Sequence, residues 1–218
     1  MKRQPGLARA IIFACFSLVL GGAGLGPAAA SRPIQLVALG DSLTAGYNLP
    51  QSAAFPVVLE KALRAKGYNV EIANAGVSGD TASGGLERID WSVPEGTDGV
   101  ILELGANDML RGIDPAIPRQ ALEAIVQRLT ARGVPVLLSG MYASPNLGPD
   151  YVQRFDAIYR DIADKHGLVF YPFFLDGIAG QRQLNLPDGI HPTARGVELI
   201  VERILPSVEA FLARIQQR

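Results

Sequence analysis

Ile34-Gln35-Leu36-Val37-Ala38-Leu39-Gly40-Asp41-Ser42-Leu43 reads as a mostly apolar strand that breaks into a glycine, an acid and a serine. Its apolar character is largely continuous rather than alternating. That means burial on both faces, and hence a parallel sheet covered by helices. Runs of the same kind recur at 69–73, 99–104, 134–139 and 168–171. Helix-like stretches lie between them, near 54–66, 81–89, 117–131 and 150–165, and 193–216 closes the chain. In that last stretch Val197, Ile200, Val201, Ile204, Val208, Phe211 and Ile215 give an apolar face at helical spacing. Pro206 should kink or break it into two shorter helices. The alternation predicts one α/β domain over 31–218, a three-layer α/β/α sandwich around a five-stranded parallel sheet. No internal repeat, low-complexity tract or linker follows residue 31.

Ser42 therefore falls where a buried strand ends and a helix begins. The unpaired N–H groups of a helix N-terminus favour negative charge, which suits a serine nucleophile whose target carbonyl becomes an oxyanion. Turn and capping chemistry asks for the same residue types, so these residues alone leave both readings open. The chain has two histidines, His166 and His191, and a serine-activating imidazole is one of them unless a lysine replaces it. His166, in Asp164-Lys165-His166-Gly167, suits the last turn of a helix with Gly167 as the stop. His191 lies in Asp188-Gly189-Ile190-His191-Pro192. A turn through Gly189 can return the Asp188 carboxylate to Nδ1, fix the tautomer and leave Nε2 for a serine. An Asp-Gly turn ahead of a helix starting at Pro192 is the alternative. Two further loops follow strand-like runs: Asn74-Ala75-Gly76-Val77-Ser78-Gly79-Asp80-Thr81 and Gly105-Ala106-Asn107-Asp108. The first can present a backbone N–H without a side chain in the way; an ordinary strand-to-helix loop with Asp80 or Thr81 as N-cap is the alternative. The second can present an asparagine amide. In an open parallel sheet such strand ends lie along one edge, where ligands bind.

These four segments, in this order, resemble the four blocks of the SGNH hydrolases, also called the GDSL esterase/lipase family. The resemblance spans 34 to about 210 and looks closest to the bacterial periplasmic branch of thioesterase I, lysophospholipase L1 and arylesterase. It rests on Leu39-Gly40-Asp41-Ser42-Leu43-Thr44-Ala45-Gly46-Tyr47, Val77-Ser78-Gly79-Asp80-Thr81, Glu103-Leu104-Gly105-Ala106-Asn107-Asp108 and Asp188-Gly189-Ile190-His191-Pro192. What it implies is Ser42 as nucleophile, His191 as general base and Asp188 as the acid that orients it. The implied oxyanion hole is the backbone N–H of Ser42, the backbone N–H of Gly79 and the Asn107 amide. Ala106 departs from the second glycine of many relatives, a small change. Asp41, Asp80 and Asp108 read as loop-fixing acceptors rather than acid/base groups, and each can cap N–H groups at a helix start. The resemblance also implies a flavodoxin-like strand order, 2-1-3-4-5. The segment from Gly140 to Tyr151 follows the fourth strand to the same edge. In the close relatives this loop lines the acyl pocket, which makes Met141, Tyr142, Pro145 and Leu147 candidate substrate contacts. A plain surface connection is the alternative. Phe173, Phe174 and Leu175 suit either pocket wall or core.

Residues 1–30 read as a signal peptide: Lys2, Arg3 and Arg9, then an apolar core over 10–20, then Ala28-Ala29-Ala30 before Ser31. The apolar run is short for a span of ~20 residues, so no stable membrane anchor is expected after cleavage. The remaining 188 residues hold 17 basic against 21 acidic side chains, a net charge of −4. They lack the single cysteine, Cys15, and with it any thiol nucleophile or disulfide. No basic stripe argues for nucleic acid. Two distant histidines do not make a zinc site, and no cofactor is called for. The expected protein is an exported, periplasmic or secreted monomer acting on small acyl esters or thioesters, with lysophospholipids among them. A carbohydrate acetylesterase with the same triad is the second reading. The third is a non-catalytic flavodoxin-like module whose Gly40–Gly46 loop holds an anion, which the absence of G-x-x-x-x-G-K-[ST] weakens.

Overall fold

Five strands, β1 (Ile34–Gly40), β2 (Val70–Gly76), β3 (Gly99–Glu103), β4 (Val136–Ser139) and β5 (Val169–Tyr171), pair in parallel in the order β2-β1-β3-β4-β5. The computed structural model describes Met1, Lys2 and residues 32–217. All of the proposed signal peptide but Met1 and Lys2 falls outside the described residues. Residues 32–218 form one unit of their own, in which every element below lies.

The strands are buried for the reason their composition gives. β3 and β4 are buried at every position, and β1 from Leu36 onward. Helices therefore cover both faces. α2 (Phe55–Ala65) packs on α8 (Ala194–Gln216), while α6 (Ala116–Ala131) packs on α3 (Ala82–Glu87) and α7 (Pro149–His166). The short helices α1 (Ser42–Ala45) and α5 (Ala106–Leu110) follow β1 and β3, and α4 (Ile89–Ser92) follows α3. α7 ends on His166 with Gly167 in the left-handed conformation at φ +60°, as its sequence predicts. The expected helix over 81–89 is divided at Arg88 into α3 and α4.

Pro206 does not break α8, which runs unbroken over 23 residues. The proline and Glu202, four residues earlier, both lie on the exposed face. The carbonyl that loses its donor therefore belongs to a residue facing water. Meanwhile Val197, Ile200, Val201, Ile204, Val208 and Phe211 stay packed in the core.

The strand order decides where a site can form. The chain leaves β1 toward β2 on one side and returns to β3 on the other, so the connections after β1 and β3 diverge at their carboxyl ends. That divergence opens a crevice at the sheet edge. Ser42 follows β1 and Asn107 follows β3.

Candidate active site

The Ser42 turn is held from below. Asp41 caps α1, its Oδ1 accepting from Leu43 N–H at 2.9 Å. Glu103, the last residue of β3, lies opposite Gly40 and is 1% exposed. Its carboxyl group accepts from Thr44 Oγ1 at 2.8 Å. Space for this arrangement comes from glycines. A Cβ on Gly40 would collide with Thr44 Oγ1 and Glu103, and one on Gly76 with the backbone of Ala45 and Asp41. Arg88, itself buried, ties the neighbouring loop to the same edge. Its Nε donates to Asp80 Oδ2 at 2.6 Å, Nη1 to Ala75 O at 2.8 Å and Nη2 to Gly40 O at 2.8 Å.

Ser42, 8% exposed, presents Oγ 2.9 Å from His191 Nε2. His191 Nδ1 lies 2.8 Å from Asp188 Oδ2. The Asp188 turn is closed through Gly189 at φ +73°. Asp188 Oδ1 accepts from the backbone N–H groups of His191 at 3.0 Å and Ile190 at 2.9 Å. These backbone donors, with the imidazole, hold the Asp188 carboxyl down to about 2. It is ionised at any ordinary pH and lies on the nitrogen opposite the serine.

Asn107 reaches the same place from the start of α5. Its Nδ2 donates to Asp41 Oδ2 at 3.0 Å and to Asp80 O at 2.9 Å. Both amide hydrogens are therefore engaged within the protein. Gly79, at φ +86°, is in a conformation that favours glycine. Its carbonyl accepts from Arg111 Nη2 at 2.7 Å. Through Asp80 the Gly79 loop is joined to Asn107, and through Asn107 to the Ser42 turn.

The three block acids divide their duties. Asp41 caps its own helix, and Asp108 Oδ2 accepts from Ala82 N–H at the start of α3 at 2.8 Å. Of the two N-cap candidates for α3, Asp80 and Thr81, the structure uses Thr81, and Asp80 is a loop-fixing acceptor. Asp80 pairs with Arg88, and the Thr81 hydroxyl accepts from Gly84 N–H at 3.2 Å. Burial pushes Asp41 up to about 6, opposed by the Leu43 N–H, by His191 and by Asn107. Burial and the neighbouring Asp41 charge push Glu103 well above the ordinary glutamate value.

A cavity of about 630 Å³ opens beside Ser42, Asn107 and His191. Met141, Tyr142 and Pro145 line it. Leu147 does not: it ends the short 3-10 turn Pro145–Leu147 and packs against the core. Phe173 and Leu175 add wall, Phe173 stacking on Tyr142 at 4.7 Å between ring centroids, while Phe174 is fully buried core. Leu43, Met109, Leu110 and Ile190 complete an apolar lining that the sequence did not single out. Their signal was proximity: each lies within three residues of Ser42, Asn107 or His191. Glu103 left a fainter one, a single acid in an otherwise apolar strand. Among the described residues, no group of three or more His, Cys, Asp or Glu could hold a metal ion.

A parallel α/β/α sandwich with a serine, a histidine and an acid aligned beside an apolar cavity has the architecture of an ester hydrolase. The chain belongs to the GDSL-like lipase/acylhydrolase family, whose pattern matches residues 38–199. It is similar to Esterase TesA of Pseudomonas aeruginosa, at 36% identity over 93% of this chain and 98% of that one. It is also similar to thioesterase 1/protease 1/lysophospholipase L1 of Escherichia coli, at 37% identity over 72% of this chain and 74% of that one. Among solved structures, AlinE4, an SGNH-hydrolase family esterase, superposes with a TM-score of 0.71 at 44% identity, over 84% of this chain and 99% of that one.

Proposed function

We propose that the protein hydrolyses acyl esters and thioesters through Ser42, His191 and Asp188. The observation that carries this reading is the line from Ser42 Oγ to His191 Nε2 at 2.9 Å and from Nδ1 to Asp188 at 2.8 Å, at the mouth of an apolar cavity. In this mechanism His191 Nε2 takes the Ser42 proton as Oγ bonds to the substrate carbonyl carbon. The tetrahedral oxyanion is met by the N–H groups of Ser42 and Gly79 and by the Asn107 amide. For Asn107, that means one hydrogen now given to Asp41 or Asp80 turns to the oxyanion. Collapse breaks the carbonyl–oxygen or carbonyl–sulfur bond, and the imidazolium protonates the leaving alcohol or thiol. Water, deprotonated by His191, then attacks the acyl-enzyme and releases the acid and Ser42. Asp188, ionised throughout, holds the tautomer and stabilises the imidazolium.

The cavity supports an acyl chain as the group recognised, because a mainly apolar lining with few polar groups binds by burying hydrocarbon. The names of the relatives, which include esterase, thioesterase and lysophospholipase, agree with that substrate class. We propose also that residues 1–30 are removed on export and that 31–218 acts as a monomer. Among the described residues no helix is long and apolar enough to cross a membrane.

The test is hydrolysis of p-nitrophenyl esters from acetate to palmitate by protein beginning at Ser31. The expected result is turnover that peaks at medium or long chains. Turnover confined to acetate, with release of acetate from acetylated sugars, would move the assignment to a carbohydrate acetylesterase.

A further inference from the structure

Tyr47 has no part in the mechanism above, yet its ring lies against the base. The Tyr47 and His191 ring centroids are 4.4 Å apart, with their planes inclined by 38°. The backbone is built to hold it there. Tyr47 N–H donates to Ser42 O at 3.1 Å and Leu49 N–H to Gly46 O at 3.0 Å. Gly46 has φ +83°, and a Cβ there would meet Ala54. Asn48, at φ +56°, is the one non-glycine residue with positive φ among the described residues. Asparagine tolerates that conformation better than most residues. Tyr47 is 41% exposed, so core burial does not account for its place.

We propose that Tyr47 is a positioning residue for His191, its ring face holding the imidazole toward Ser42 and favouring the imidazolium that forms during turnover. This rests on the Ser42–His191–Asp188 reading. An aromatic face carries negative charge density and attracts a cation within ~6 Å of its centroid, and the imidazole is inside that range. Two other charges face it: Asp188, at Nδ1, and Asp41, from the turn after β1. Neither is altered by changing Tyr47. Ser42 faces Nε2 as a neutral hydroxyl.

Tyr47→Phe and Tyr47→Leu separate ring from bulk, since leucine shields the imidazole but has no π face. The measurements are kcat and KM for p-nitrophenyl butyrate, the pH profile of kcat/KM, and thermal melting, with Ser42→Ala alongside. Tyr47→Phe should stay within about twofold of the parent. Tyr47→Leu should lose about two- to fivefold in kcat/KM on the pH plateau, carried by kcat with KM unchanged. Its acid limb should lie about 0.5 pH unit below that of Tyr47→Phe. Equal behaviour of the two variants, a loss carried by KM, or an unmoved acid limb would overturn the proposal. With Ser42→Ala inactive, any of these results leaves the hydrolase standing. Full activity in Ser42→Ala would overturn both.

Discussion

Asn107 is the residue on which the oxyanion argument turns, because both of its amide hydrogens are held within the protein, by Asp41 and Asp80 O. Asn107→Ala should lower kcat on the order of 10²–10³-fold, as loss of a preorganised donor does. It should also loosen the tie between the Ser42 turn and the Gly79 loop. Steady-state kinetics with a melting curve separates the two effects, and unchanged turnover in a folded variant would remove Asn107 from the oxyanion hole. Asp188 makes a different forecast. A carboxyl held at about 2 contributes above the ordinary carboxylate range, and its contribution is lost only as pH falls through about 2. An acid limb of activity near neutrality therefore cannot come from it. Asp188→Asn should depress kcat/KM on the order of 10⁴-fold on the pH plateau, by losing the group that fixes the tautomer.

At the scale of elements, the strand ends matter more than the helices. The pairing of Ser42 with His191 was legible because the chain has only two histidines and one of them lies in a recognisable Asp-Gly turn. The strand-to-helix junctions were legible because apolar runs stopped at glycine. The clamp under Ser42 was not, since one acid in β3 does not announce that it will take the Thr44 hydroxyl. The partner of Asp80 was hidden for a related reason: Arg88 is eight residues on and becomes a neighbour only after α3 forms. Pro206 misled because helix propensity is weaker than the burial of the α8 apolar face. Two outcomes test the clamp. Gly76→Ala drives a methyl into the backbone of Ala45 and Asp41. It should destabilise by about 1–3 kcal/mol, as overpacking does, and lower kcat, both readable from denaturation and turnover. Glu103→Gln tests the buried acid. Its folded value is raised above the ordinary ~4.3. The native state therefore binds the proton more tightly than the unfolded chain, and stability falls as pH rises above that value. Glutamine has no such titration. Melting temperatures should accordingly shift in favour of Glu103→Gln, relative to the parent, between pH 4.5 and pH 8. A constant difference would mean that Glu103 is ionised in the fold.

For the whole molecule, one topological fact organises the rest. The order β2-β1-β3-β4-β5 parts the chain between β1 and β3. Ser42 and Asn107 stand on the two sides of that parting, and the Asp188–His191 loop joins them from the segment before α8. The apolar cavity opens at the same edge. The sheet order itself was legible only through family resemblance, because apolar runs identify strands without saying which are neighbours. The cavity wall was legible in part: Met141, Tyr142 and Pro145 face it, but whether Leu147 turns to the cavity or to the core depends on a short 3-10 turn. The central claim is that Ser42 is a nucleophile made reactive by His191, and covalent labelling reads it directly. The protein would be treated with a serine-directed alkyl phosphonate and its peptides mapped by mass. The expected result is one adduct per chain, on Ser42, absent in Ser42→Ala and strongly slowed in His191→Ala. Labelling elsewhere, or at the same rate in all three proteins, would contradict it.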